Sequence, residues 1–310
     1  MGNYLFDLST DSTADLLPGF AAENGIWTVP LFFSIEKDGE ITPYRDEFQT
    51  LQQYTDFYNE LRAGGYSRTA MLNLQDHLDH FYKMAKAGVK DCVHFTISYG
   101  LSPTVDVANQ AYETVKKEYP DFHLYAIESR SATVGQGLLV KLALKMRNEG
   151  KTAKETADYI NEAKFRLQHL IVADDLYYLK RGGRVSGAAA VVGSMLSIKP
   201  YIQMDGDGKL NVVEKLHGMK KAIARIVDDI AKYGVEESEC VVVHTDAPDK
   251  AAELAAKIEE TYGLHPEVQI MGPVVGSHVG PGAVACGIMS KTRREPSGNL
   301  EIDREKSKEK

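Results

Sequence analysis

The chain has 310 residues, 43% of them hydrophobic and 26% charged, with a net charge of −8. Those proportions belong to a globular protein that buries its own core without metal or disulfide help, and the length predicts about two domains. The acidic balance argues against a surface built to bind nucleic-acid phosphates. Cys92, Cys240 and Cys286 stand singly in apolar runs with no ligand spacing, so buried thiols, a reducing compartment and no zinc are expected. The start, Met1 to Asp7, lacks the basic flank and apolar core of a signal peptide. No stretch approaches the roughly 18 apolar residues of a membrane span, so the expectation is a cytoplasmic protein without an integral membrane segment.

In chain order, Tyr4-Leu5-Phe6 reads as a strand ending at Asp7, and Asp11 to Leu16 as a turn capping a first helix. Ile26 to Ile35 is a second strand region, closed by the turn Lys37-Asp38-Gly39-Glu40. Helical periodicity occupies Asp46 to Ala63, Leu74 to Ala87, Val105 to Glu118 and Ala132 to Asn148, with strands at Asp91 to Ile97 and His123 to Ile127. This alternation predicts a largely parallel α/β sheet over residues 1–165. After a helix over Ala153 to Phe165, the pattern changes to strand Leu167 to Ala173, short helix Asp174 to Leu179 and the basic turn Lys180-Arg181-Gly182-Gly183-Arg184. Pro200 to Met204 and Lys209 to Leu216 flank Asp205-Gly206-Asp207-Gly208, a hairpin signal. Helices Met219 to Tyr233 and Asp249 to Tyr262, with strands at Cys240 to Thr245, Val268 to Ile270 and Ala283 to Met289, complete an α+β domain over 166–290. The remainder, 291–310, has little to bury and reads as a disordered tail.

Five motifs stand in order: Asp11-Ser12-Thr13-Ala14-Asp15-Leu16, Ile97-Ser98-Tyr99-Gly100-Leu101-Ser102, Gly182-Gly183-Arg184-Val185-Ser186, Ile198-Lys199-Pro200 and Val279-Gly280-Pro281-Gly282-Ala283. In order and spacing they resemble the bacterial DegV family, which includes the FakB subunits of fatty acid kinase, over about residues 1 to 290. The resemblance implies a two-domain α/β fold that holds a long-chain fatty acid between its domains. By the same resemblance the carboxylate meets Thr69, Ser102, His278 and His217, the last standing where many members have arginine. Ser98 and Gly280 are expected as additional ligand contacts. The resemblance also assigns Arg181 and Arg184 to a partner, the ATP-binding kinase subunit that phosphorylates the bound fatty acid. The carrier would then need no cofactor, and the chain lacks the glycine-rich G-x-x-x-x-G-K-S/T phosphate loop.

The residue types suit that chemistry. A carboxylate buried without partners costs several kcal/mol or protonates, and two hydroxyls with an imidazole supply the donors. Gly276 to Gly282 reads as a glycine-rich turn aiming His278, and Ser102 as the start of the helix from Val105, whose dipole would favour an anion. At roughly 0.8 kcal/mol per methylene, about fifteen methylenes contribute on the order of 10 kcal/mol before ordering costs, so the tail supplies most of the affinity. The run Ala188 to Gly193 with Met195 and Leu196 is a candidate tunnel wall or a core helix.

Two other readings compete. A serine-type hydrolase would use Ser102 as nucleophile, His278 as base and Asp7, Asp11 or Asp106 as orienting acid, although Pro103 removes an oxyanion-hole N–H. A regulatory nucleic-acid binder built on Arg181 to Arg184 is disfavoured by the acidic charge. A different amphipathic anion is the nearer alternative ligand.

Overall fold

A computed structural model describes residues 4–174, 176–186 and 198–295. The first unit takes in Met1–Gln53, Gly64–Lys164 and Gly272–Val274; the second takes in Tyr54–Ala63, Phe165–Met271 and Val275–Lys310. The division is therefore not a single cut along the chain.

Unit 1 opens with β1 (Asp7–Asp11), which begins where the apolar triplet is expected to end a strand. Tyr4 and Leu5 are exposed instead, and β1 buries Leu8 together with Ser9, Thr10 and Asp11. Polar side chains can occupy this interior because each finds hydrogen-bond partners there, which hides the strand from a hydrophobicity reading. A 3-10 turn (Ser12–Ala14) and α1 (Phe20–Glu23) lead to β2 (Ile26–Val29). The expected single strand over Ile26 to Ile35 is interrupted at Pro30-Leu31, and β3 (Phe32–Lys37) joins another sheet with β4 (Glu40–Arg45).

The expected helix from Asp46 starts later, as α2 (Leu51–Arg62), which from Tyr54 on belongs to unit 2, because Gln53 Oε1 accepts from the Gln49 and Thr50 amides and holds a preceding loop. Next come β5 (Tyr66–Ala70), α3 (Leu74–Lys86), β6 (Asp91–Thr96), α4 (Thr104–Glu118), β7 (His123–Glu128), α5 (Val134–Asn148) and α6 (Ala153–Ala163). Asn73 and Thr152 close reciprocal capping boxes with Asp76 and Glu155, which explains where α3 and α6 begin.

Strands β2-β1-β6-β7 form a parallel sheet, as the alternation predicts, and β4-β3-β5 form a separate antiparallel one. Phe81, Met84, Ala108, Ala111 and Val115 from α3 and α4 pack with Cys92 of β6 in a buried cluster. A parallel sheet covered by helices buries its strands, and β6 is buried along nearly its whole length.

Unit 2 contains β8 (Leu167–Val172), α7 (Tyr177–Gly182), β9 (Val185–Ser186), β10 (Ile198–Met204), β11 (Leu210–His217), α8 (Met219–Tyr233), β12 (Val235–His244), α9 (Pro248–Tyr262), β13 (Glu267–Ile270), β14 (Val284–Ser290) and, from Val275 on, α10 (Pro273–Val279). Seven strands form a mixed sheet in the order β13-β12-β14-β8-β10-β11-β9. The β10–β11 hairpin turns where Asp205 Oδ1 accepts from the Asp207 and Lys209 amides. Ile223, Ile226 and Ile230 of α8 and Leu254 and Ile258 of α9 join the buried cluster formed with this sheet.

Cys240 and Cys286 are free, buried thiols with sulfurs 3.4 Å apart in unit 2, and Cys92 is free and buried in unit 1. Residues Lys291–Glu295, assigned to the tail on composition, pack against this unit. The Arg294 amide donates to the Phe165 carbonyl at 2.7 Å, and the Glu295 carbonyl accepts from Gly206 at 2.7 Å. Residues 296–310 lie outside the described residues. Among the described residues, no helix is long and apolar enough to cross a membrane.

Candidate functional site

The motif residues of unit 1 gather at the carboxyl ends of β1 and β6, where parallel strands commonly present ligand-binding loops. Asp11 ends β1 fully buried. Its Oδ1 accepts from the Thr13 amide at 3.1 Å, the Thr13 hydroxyl at 2.5 Å and Gln136 Nε2 at 2.9 Å; its Oδ2 accepts from the Ile97 amide at 2.9 Å. Burial raises the Asp11 pKa and these donors oppose the rise. The carboxylate fastens β1 to the connection after β6, and with four donors it has little capacity left to orient an imidazole. Asp7 is also engaged, accepting from Trp27 Nε1 at 3.0 Å.

The connection from β6 to α4 is built on Ser98. Its amide donates to the Ser131 carbonyl at 2.8 Å, its own carbonyl accepts from the Leu101 and Ser102 amides at 3.0 Å each, and its hydroxyl accepts from the Gly100 amide at 3.2 Å. Ser98 and Ser102 are thus brought together in one tight loop. The expectation that Ser102 starts or caps the helix is corrected. Pro103 is the cap residue of α4 and makes no side-chain cap bond, whereas the Ser102 hydroxyl lies 2.9 Å from that of Thr104. Pairing with a hydroxyl leaves each oxygen acceptor or donor capacity for a further group. Thr69 lies partly buried on β5, opposite Phe33.

A pair of acidic groups stands close to the first motif. Asp15, in a left-handed conformation at φ 47°, is bound by the Gly272 amide, and Asp46 pairs with Ser12. Each keeps one oxygen shut off from solvent and without a partner. Burial, then the neighbouring Asp46 charge, raises the Asp15 pKa well above the carboxylate range; burial first raises that of Asp46 to about 7.

In unit 2, His278 is not on an extended glycine turn. Pro273–Val279 forms the helix α10, and only Gly280 and Gly282 take positive φ, at 76° and 91°. Helical residues 276–279 place His278 in the last turn, and the Gly280 amide closes it onto the Gly276 carbonyl at 2.8 Å. Glycine is required at 280 by both backbone and space, because a Cβ there would stand 2.1 Å from the Tyr178 ring.

Burial, then Arg184 and Arg181, lowers the His278 pKa to about 4, so the imidazole is neutral at neutral pH. The structure therefore brings His278, Gly280, Arg181 and Arg184 into one neighbourhood. His217 ends β11, exposed, opposite Ile198 in the β10–β11 pairing. The candidate tunnel wall Ala188 to Leu196 lies outside the described residues.

Beside Gly282, unit 2 has an open cleft of about 490 Å³ lined in part by Arg62, Asp174, Tyr178, Asp246 and Lys250. Asp174 is held by Lys199 at 2.8 Å and Lys250 at 3.1 Å, which crosslinks the α7, β10 and α9 segments around the end of α10. Sequence reasoning missed the closeness of Tyr178 and Gly182 to the α10 segment, since tyrosine and glycine beside a basic turn carry no local sign of such a contact.

Comparison with known proteins places the chain in context. The family model for uncharacterised DegV-family proteins matches residues 6–291. A DegV domain-containing protein of Clostridium perfringens is 32% identical over 291 residues, covering 93% of this chain and 98% of that protein. The fatty-acid-binding DegV family protein of Streptococcus agalactiae superposes with a TM-score of 0.77 at 27% identity, covering 93% of this chain and 99% of that chain. The fatty acid kinase B3 protein of Streptococcus pneumoniae, solved loaded with linoleic acid, shares the fold with a TM-score of 0.79 at 21% identity, covering 92% and 99%.

Proposed function

The chain belongs to the DegV family, and on that premise we propose that it binds a long-chain fatty acid and presents the carboxylate to a separate ATP-dependent kinase subunit. The observation that carries the reading is the fold shared over nearly its whole length with a fatty-acid-binding member at 27% identity. The head group would meet Thr69, Ser98, Ser102, His217, His278 and Gly280. In this reading His278 serves as a neutral hydrogen-bond donor, and Arg181 and Arg184 provide the permanent positive charge nearby. Those two arginines also form the surface offered to the kinase, and the acyl chain takes up the apolar part of the site.

Native mass spectrometry of freshly purified protein, followed by solvent extraction, tests the ligand. The expected result is one long-chain fatty acid per chain. Protein that emerges empty and takes up no oleate overturns the reading. Addition of the kinase subunit and ATP tests the second half: acyl phosphate should form, and Arg184→Ala should impair this step more than lipid binding. Ester hydrolysis abolished by Ser102→Ala would replace the carrier reading with the hydrolase one.

A further inference from the structure

We propose that Gly182 is a positioning residue for His278, its bare Cα forming the surface on which the imidazole rests and tying the Arg181–Arg184 turn to the ligand's head group. The inference rests on the reading of His278 as a ligand contact, but its geometric core does not. A Cβ built on Gly182 would stand 2.3 Å from Nδ1 and 3.2 Å from Cε1 of His278, far inside van der Waals contact. No side chain larger than hydrogen fits there unless the ring moves.

The neighbours of this contact restrict movement on both sides. The Arg184 guanidinium bonds back to the Gly182 carbonyl, while the Arg181 guanidinium lies 5.1 Å from the ring centroids of both Tyr177 and Tyr178. Tyr178 in turn fills the space over Gly280, two residues beyond His278. Gly183, with φ 67°, ends α7 immediately after the contact. Helix α7 therefore grips the end of α10 at two glycines, Gly182 and Gly280, each made necessary by a ring from the opposite element.

Two consequences follow from this packing. The imidazole is oriented by backbone, which is stiffer than a side-chain neighbour, so its hydrogen-bonding edge is preset before a ligand arrives. Any partner that grips Arg181 or Arg184 also pulls on the residue against which the ring lies. Interior contacts transmit such shifts because they have no free volume to absorb them.

The test is a double-mutant cycle on the full chain with oleate as the probe, joined to NMR of the histidine Cε1–H resonances without ligand. Gly182→Ala should move the His278 resonance and weaken oleate binding about tenfold, the size expected for one misplaced polar contact. In the His278→Ala background, Gly182→Ala should cause no further loss, because the methyl group occupies space the ring has vacated. An equal loss in both backgrounds, or an unmoved His278 resonance, overturns the proposal. Should Gly182→Ala alone fail to fold, the double variant must recover folding; its failure to do so also overturns it. Oleate binding absent from the wild-type protein would instead defeat the fatty-acid reading, while the resonance shift would still decide the positioning role.

Discussion

Unit 1 and unit 2 both keep imidazoles neutral, by different arrangements. In unit 1, His77 and His80 of α3 and His94 of β6 lie against one another with ring centroids 5.8 Å (His77–His94) and 6.0 Å (His80–His94) apart. Ser9 of β1 sits between two of them, 2.7 Å from His80 Nε2 and 2.9 Å from His94 Nδ1. One hydroxyl proton can serve only one imidazole, whose facing nitrogen must then be unprotonated, while the serine oxygen accepts from the N–H of the other. Both nitrogens of His77 and Nε2 of His94 are buried without a partner. In unit 2, by contrast, His278 lies beside two arginines whose charges assist burial in holding it neutral. The difference teaches that neutrality in unit 1 is a condition of packing, whereas in unit 2 it depends partly on charges that substitution can remove.

Acid should break this comparison most severely. Burial lowers the pKa of His77 to about 4 and, with His77 and Lys83 adding to it, that of His80 to about 3; Asp76 partly offsets the shift at His77. Burial, then His77 and His80, lowers His94 well below the usual value of 6.5. Between 6.5 and these folded-state values the unfolded chain holds protons that the folded chain lacks, so stability is fully present above about pH 6.5 and declines as pH falls. Each histidine contributes up to about 1.4 kcal/mol per pH step, and the three together can exhaust a stability of roughly 5–15 kcal/mol. Hydrogen exchange at pH 7.5, 6.0 and 5.0 should show α3, β1 and β6 losing protection first. His77→Phe should flatten that pH dependence. Equal loss in both units, or none at pH 5, would refute the distinction.

A smaller effect of opposite sign is expected from Asp46. Its folded-state pKa, raised by burial to about 7, means that the folded chain holds a proton the unfolded chain has released, so stability is lost as pH rises from 3.8 through about 7. Asp46→Asn should therefore stabilise unit 1 by about 1–2 kcal/mol at pH 8, after allowance for its partial solvent contact, and by almost nothing at pH 4. Urea denaturation at the two pH values measures the difference. A stabilisation that does not depend on pH would show that ionisation at Asp46 carries no cost.

Locally encoded features were the legible ones. The Asp205–Gly208 hairpin, helix α8 and the alternation that forms the parallel sheet all follow from turn chemistry or periodicity. Strand β4 is exposed at every residue, so it shows no alternation, and β5, on the other side of β3, went unread with it. Strand β1 is concealed by its buried polar residues. At the candidate site, the motifs single out Ser98 and Ser102 and lead to His278 beside the last of them, but glycine and proline around His278 read as a turn where packing requires a helix. Gly276 is close to Tyr58, whose hydroxyl a Cβ there would meet at 2.3 Å, and this need is tertiary. The contact of Gly182 with His278 joins distant positions and leaves no periodic or compositional mark.

The finest separation of the two histidine environments comes from Arg184→Gln. Burial is the largest cause of the low His278 pKa, with Arg184 next and Arg181 after it. Removing one charge should raise the midpoint above about 4 while burial still holds it below 6.5. His77, His80 and His94 have no arginine among the causes of their shifts, so their resonances should respond to pH as in the unsubstituted chain, including the acid-induced loss of unit 1. A histidine NMR titration of the variant reads all four groups at once. Movement of the unit 1 midpoints would mean that Arg184→Gln perturbs the chain globally, and an unmoved His278 would mean that burial alone keeps the ring neutral. The predicted outcome, movement confined to His278, would establish that the charge on this imidazole depends on the α7 turn that holds it.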